Sequence, residues 1–337
     1  MPAAFDVDAL VEGIKAGNRS AMARSITLVE SKKPAHRPLA RQLLTEIAPL
    51  TGNSIRLGLT GVPGAGKSTF TDALGCRLIE KYHKRVAVLA VDPSSSVTGG
   101  SVLGDRTRMG QLTSLDESFV RPSPSGSHLG GVARATREAM LIVEAAGYDV
   151  VIVETVGVGQ SETAVSGMVD TFLLLSLTGS GDQLQGIKKG ILEMADVIAV
   201  NKADGPNERE ARVAARELAI AMKLVSKDPS GRVPPVLTCS ALQKNGLDEV
   251  WQAVLEHREW LDKTVGLDVH RGHQQVSWMW AQAESAVLDS LHRAPEIRPL
   301  ARELEEAVAA GRMSALGASK KILRQFAKVV DSAGWSD

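Results

Sequence analysis

Cysteine is nearly absent: the chain of 337 residues has two, Cys76 and Cys239. They lie far apart, with no partner Cys or His at metal-ligand spacing. That excludes a disulfide framework and a zinc site and leaves both as small core residues. Net charge is absent too, with 39 Lys plus Arg against 39 Asp plus Glu. No basic field argues for nucleic acid and no acidic tail for disorder. Hydrophobic residues make up 44% of the chain, yet no run reaches the roughly 18 consecutive apolar positions of a membrane helix. The stretch MPAAFDVDALVEG lacks the basic and apolar regions of a signal peptide. The expectation is a cytoplasmic protein with neither nucleic acid nor membrane as a partner.

What is present falls into three regions. Residues 1–50 carry helical periodicity through Leu10, Ile14, Ile26, Val29, Leu39, Leu43, Leu44 and Ile47, broken by the turn signal KKPAHRP. From 55 to about 240, short β-rich runs alternate with helix-length segments: IRLGLT, VAVLAV, YDVVIVE, DTFLLLSL, DVIAV and PPVLTCS. Continuous apolar strands are buried on both faces, so the fold class is α/β, a mostly parallel sheet with helices above and below. The helix-length segment 130–147 places Val132, Ala135, Ala139, Ile142, Val143 and Ala146 on one face, and 182–195 does so with Leu184, Ile187, Ile191 and Met194. From 246 onward the strands stop and the period is helical. The predicted organisation is a helical N-terminal arm over 1–50, an α/β core over 51–260 and a helical C-terminal extension over 261–337. There is no internal repeat and no low-complexity linker.

The stretch LGLTGVPGAGKST, residues 57–69, matches G-x-x-x-x-G-K-[ST] after a strand and before a helix. Glycine lets the backbone turn its N–H groups inward around phosphates, and the helix N-terminus adds its positive dipole end. Gly61, Val62, Pro63, Gly64, Ala65, Gly66, Lys67, Ser68 and Thr69 are therefore candidate nucleotide contacts. Lys67 supplies a mobile cation for the β- and γ-phosphates, and the Ser68 hydroxyl is a ligand for Mg²⁺.

Further along, VIAVNKAD ends a buried strand with Asn201, Lys202 and Asp204. A carboxylate at Asp204 accepts hydrogen bonds from N1–H and the 2-amino group of guanine; adenine presents an acceptor at N1 and leaves that charge unpaired. The expected nucleotide is GTP. Lys202 can lay its alkyl stem over the base, and Asn201 can brace the loop or reach the purine N7. The segment TCSAL, residues 238–242, adds Ser240, Ala241 and Leu242, with the Ala241 N–H placed to meet guanine O6.

Between these motifs stand candidates for metal and switch. Asp92 in LAVDPSS and Glu154 in VIVETVGVGQSE end strands at the edge of the sheet where ligands bind. Together with Ser68 they are the expected Mg²⁺ holders, and the Gly157 N–H can sense a γ-phosphate. The polar loop 92–109 offers Asp105 to orient water or metal and Arg106 or Arg108 to neutralise charge; a solvated arginine loop is the alternative. The segment LTGSGDQLQGIKKG, residues 177–190, carries Asp182, Gln185, Lys188 and Lys189. It reads as a relay to a partner or a lysine supply to the site, or else as a helix capped by Asp182 with a solvated lysine face. Candidate catalytic residues are thus Lys67, Asp105, Arg108 and Lys188.

The phosphate loop, VDPSS, ETVGVGQSE and NKAD, in this order, resemble the MeaB/ArgK family of P-loop GTPases, bacterial counterparts of the methylmalonic aciduria type A protein. The resemblance extends across essentially the whole chain. It implies a SIMIBI-type fold and a homodimer to which the terminal extensions contribute. It further implies a GTP-hydrolysing chaperone of adenosylcobalamin-dependent methylmalonyl-CoA mutase, gating cofactor loading and protecting the mutase from inactivation, with 177–190 carrying nucleotide state to the mutase. Two departures from the Ras-like pattern limit transfer from that group. Glu154 stands where those proteins have Asp, and Gln160 lies three residues after Gly157 rather than next to it, so no water-orienting role falls to Gln160. Slow intrinsic hydrolysis, accelerated by the partner, is the expectation.

Two other readings compete. A metallochaperone GTPase would need clustered soft or imidazole ligands, whereas the 7 His and 2 Cys are scattered. A P-loop kinase would need ATP, which Asp204 disfavours, and an acceptor pocket for which the sequence gives no sign.

Overall fold

The computed structural model describes residues 5–31, 33–91, 109–123, 129–155, 161–178, 189–225 and 232–329. Seven strands form one parallel sheet: β1 (Ile55–Gly61), β2 (Val86–Val91), β3 (Ser118–Ser123), β4 (Val150–Thr155), β5 (Thr171–Ser176), β6 (Val197–Val200) and β7 (Val236–Thr238), in the order β3-β2-β4-β1-β5-β6-β7. Six of them fall on the apolar runs of the sequence. The seventh, β3, reads SFVRPS and carries Arg121 and Pro122, a composition that suits only an edge strand because proline donates no ladder bond.

The strand period of two divides the core. Val86 and Val88 of β2 and Val150 and Ile152 of β4 face one layer, while Ala87, Leu89, Val151 and Val153 face the other. Before the sheet come α1 (Val7–Lys15), α2 (Arg19–Val29) and α3 (Arg37–Ile47). Local chemistry starts two of them: Asp6 accepts from the Ala9 N–H at 3.1 Å, and Asn18 accepts from Ser20 and Ala21 at 2.9 and 3.0 Å. After β1 comes α4 (Lys67–Tyr82), then the single turn α5 (Gly110–Thr113) and α6 (Leu129–Ala145). The apolar stripes of α1 to α3 merge into the same core as Ala139, Ile142 and Val143 of α6. The N-terminal helices are thus part of that layer. On the opposite face, α4 packs with α10 (Leu247–Thr264). The helices α7 (Ser161–Ser166), α8 (Lys189–Met194) and α9 (Glu208–Val225) complete the arm's side.

At the amino ends of the strands, charge is buried in pairs. Arg56 of β1 forks onto Glu144 with bonds of 2.6 and 2.8 Å. Asp170 accepts from Arg271 at 2.8 and 2.7 Å and from the Arg56 N–H at 3.0 Å. Arg271 also donates to the carbonyls of Ser54, at 2.7 Å, and Gly52. The side chains of Glu144 and Asp170 are both 0% exposed, so each carboxylate depends on its arginine.

The chain divides into two compact units, 1–272 and 273–337, the boundary falling within α11 (Leu267–Arg293). In the second unit α12 (Ile297–Ala309) and α13 (Ala315–Val329) bury Ile297, Leu304, Ala318 and Phe326. Val276, Met279, Trp280, Val287 and Leu288 of that unit are exposed. Among the described residues no helix is long and apolar enough to cross a membrane.

Candidate nucleotide site

The glycine-rich loop leaves the carboxyl end of β1, at the centre of the sheet. Two of its glycines have no substitute. A Cβ on Gly61 would stand 2.4 Å from the Leu175 carbonyl oxygen of β5, and Gly66, at a φ of 82°, would bring a Cβ to 3.0 Å from Asn201 Nδ2. Ala65 N–H closes the loop onto the Val62 carbonyl at 3.1 Å, and Phe70 N–H makes the first helical bond, to Gly66, at 2.8 Å. The amides of Lys67, Ser68 and Thr69 precede that bond and have no acceptor within the helix. Pro63, Gly64 and Thr69 are exposed. The loop therefore offers an anion a row of N–H groups at a positive helix end, which is how phosphates are held. Lys67 Nζ donates to the carbonyls of Gly61 and Val62, at 2.7 and 3.5 Å. Burial draws its pKa below the ordinary lysine value, against the pull of the Glu154 and Glu162 carboxylates.

Glu154, the fifth residue of β4, sits beside Leu59 of β1 in register and is 2% exposed. Its Oε1 accepts from the Ser68 hydroxyl at 2.9 Å and its Oε2 from the Thr71 hydroxyl at 2.8 Å. On the other face of the sheet the next residue, Thr155, donates to Thr60 at 2.9 Å. Hydroxyl and carboxylate oxygens beside a phosphate loop are the hard donors that magnesium takes, so Ser68 and Glu154 fit such an ion.

On the base side, one residue joins the motifs. Asn201 donates from Nδ2 to the Ala65 carbonyl at 2.8 Å, and its Oδ1 accepts from the Ala241 N–H at 3.0 Å and from the Cys239 thiol at 3.7 Å. Of the two roles the sequence left open for Asn201, bracing is the one this geometry displays. The Ala241 N–H is committed to Asn201 here, so meeting guanine O6 requires it to share or exchange that bond. Lys202 is exposed and takes a φ of 62°. The Ser240 hydroxyl donates to the Asp204 carboxylate and accepts from the Gln243 N–H at 3.0 Å, which fixes the direction in which Asp204 presents its remaining lone pairs. A cleft of about 400 Å³ borders Asp204, Ser240, Gln243 and Asn245. Leu242 is 78% exposed. Burial pushes the Cys239 thiol up to about 12, so it stays neutral and serves as core, as does Cys76.

Lys67, Ser68 and Glu154 therefore meet on the phosphate side, and Asn201, Asp204, Ser240 and Ala241 on the base side. Asp92, Asp105, Arg106, Arg108, Gly157, Gln160, Asp182, Gln185 and Lys188 lie outside the described residues. Lys189 opens α8, without a described side chain. Sequence reasoning passed over Thr71, although its place one helical turn after Ser68 was visible in KSTFT, and over the Thr60–Thr155 pair, whose partners are joined only by the sheet.

Residues 22–296 match the family model described as methylmalonyl Co-A mutase-associated GTPase MeaB. A Mycobacterium tuberculosis protein named a probable GTPase is 52% identical over 325 residues, covering 96% of each chain. The mouse protein named methylmalonic aciduria type A homolog, mitochondrial, is 41% identical over 330 residues, 95% of this chain and 79% of that one. A solved structure titled LAO/AO transport system kinase superposes with a TM-score of 0.75 at 39% identity, covering 98% of this chain and 100% of the other. With a phosphate loop, a guanine-type NKAD and a match that runs through both, the chain belongs to the MeaB family of P-loop GTPases.

Proposed function

We propose that this GTPase acts as a nucleotide-dependent chaperone of an adenosylcobalamin-dependent methylmalonyl-CoA mutase, gating cofactor loading and guarding the mutase from inactivation. The observation that carries the reading is Asn201, which bonds both the Ala65 carbonyl of the phosphate loop and the Ala241 N–H of the base-side segment, within a family whose description names the mutase. Lys67 and the loop amides bind the phosphates, Asp204 selects guanine, and Ser68 and Glu154, with Asp92, would hold magnesium. That ion, when bound, supplies positive charge beside the transferring phosphoryl group. The protein's own part is to align the γ-phosphate and to keep Lys67 against the charge that develops there. Asp105, Arg108 and Lys188 are assigned to hydrolysis on the same reading, and the Gly157 N–H to sensing the γ-phosphate. No second substrate is required; hydrolysis serves timing, and loss of the γ-phosphate is what the client would register.

The exposed Val276, Met279, Trp280 and Val287 recur at helical spacing along one stretch of α11. They support pairing of two copies as a homodimer. The test is the GTPase rate of the purified protein alone and with purified methylmalonyl-CoA mutase. Acceleration of about tenfold or more is expected, since a partner completing a slow GTPase site raises turnover strongly. A rate unchanged at saturating mutase sinks the chaperone reading while leaving the GTPase intact.

A further inference from the structure

Thr71 carries a hydrogen bond that nucleotide binding alone does not account for. It lies three positions after Ser68 on α4, so the two hydroxyls share one side of the helix, and it is 0% exposed. A threonine inside a helix commonly returns its hydroxyl to a carbonyl one turn back. Here the single hydroxyl proton instead crosses to β4 and meets Glu154 Oε2 at 2.8 Å.

The two hydroxyls on Glu154 differ in what else they can reach. Ser68 is only partly buried, at the open phosphate loop, and its oxygen is itself assigned to magnesium. When Ser68 turns to that task it releases Oε1. Thr71 is sealed from solvent, and among the described residues its hydroxyl donates to Glu154. A glutamate has one more side-chain torsion than an aspartate, so a bond at Oε2 narrows the orientations open to Oε1 once Ser68 lets go.

We infer that Thr71 is a positioning residue for the metal side of the site: by holding Oε2 it keeps Oε1 of Glu154 directed at the phosphate loop while Ser68 exchanges partners. The inference rests on the assignment of Ser68 and Glu154 as magnesium holders. Thr71 then affects magnesium affinity and leaves recognition of base and phosphate alone. It also explains how a glutamate can stand at a position where Ras-like proteins use the shorter aspartate.

The test is the release of fluorescently labelled GDP across a Mg²⁺ series and in EDTA, for wild type, Thr71→Val and Thr71→Ser. Thr71→Val should need about tenfold or more Mg²⁺ for half of the wild-type slowing of release, as loss of a group that orients a metal ligand costs, with release in EDTA within about twofold of wild type. Thr71→Ser, which keeps the hydroxyl, should restore the wild-type Mg²⁺ dependence. In a Glu154→Ala background Thr71→Val should add nothing. A wild-type Mg²⁺ dependence in Thr71→Val overturns the inference, as does an undiminished effect in the Glu154→Ala background, which would make Thr71 merely structural. If the valine variant does not fold, Thr71→Ala carries the same comparison. Wild-type protein that binds labelled GDP but ignores Mg²⁺ would overturn the metal assignment itself, an outcome read from the wild-type trace alone and so distinct from failure at Thr71.

Discussion

The two ends of the sheet place charge under opposite rules. At the amino ends, Arg56, Glu144, Asp170 and Arg271 are buried and closed on one another, with the spare guanidinium donors of Arg271 given to backbone carbonyls. At the carboxyl ends, Lys67 holds two carbonyls of its own loop and Glu154 holds two hydroxyls. The first set is charge against charge. The hydrogen bonds of the second run from charge to neutral carbonyls and hydroxyls, which a phosphate or a cation can outbid, with the Glu154 carboxylate also pulling on the Lys67 ammonium. The same parallel sheet thus locks one end and keeps the other exchangeable, as expected where ligands gather beyond the carboxyl ends of parallel strands.

Three substitutions press on that contrast. The largest effect is expected from Arg271→Ala, which strands Asp170 in the interior and should cost about 3–5 kcal/mol of stability. Denaturant unfolding measures it, with GDP affinity unchanged in the folded protein; a loss below about 1 kcal/mol would put this end on the footing of a surface ion pair. Lys67→Ala should behave in the reverse sense. Its GTP hydrolysis should fall by about 10²–10³-fold, the usual cost of deleting a charge-stabilising donor, while thermal unfolding stays at or above wild type because a partly desolvated ammonium is gone. An Ala variant as unstable as Arg271→Ala would erase the distinction between the two ends. The smallest effect belongs to Asp204→Asn, where one acceptor becomes a donor. Competition between GTP and ATP should show guanine preference reduced by about 10- to 100-fold, the worth of one hydrogen bond to a charged group. Unaltered selectivity would remove Asp204 from base reading.

The sequence displayed the exchangeable end far better than the locked one. A phosphate loop must be contiguous, because successive amides have to converge on one anion, so Gly61 to Thr69 stood together in the chain. NKAD is contiguous for the same reason. The locking pairs join residues 88 and 101 positions apart, and nothing local marks them beyond an arginine inside the apolar run IRLGLT. Thr71 fell between these cases: near the motif in sequence, but meaningful only once β4 is beside α4. Strand β3 escaped notice because two apolar residues, Phe119 and Val120, are too few to establish a period. The helical character of residues 1–50 was plain from Leu10, Ile14, Leu43 and Ile47, while their destination against α6 was not, because an amphipathic stripe does not state its partner.

That destination bears on how the protein is made. Helices α1 to α3 leave the ribosome ahead of the sheet, yet their apolar stripes close on Ile142, Val143, Val151 and Val153, about 100 residues later in the chain. At a synthesis rate of roughly 5–20 residues per second, those stripes spend about 5–20 seconds without their native cover. Residues 7–47 therefore spend that interval as exposed apolar surface of the kind a holding chaperone covers.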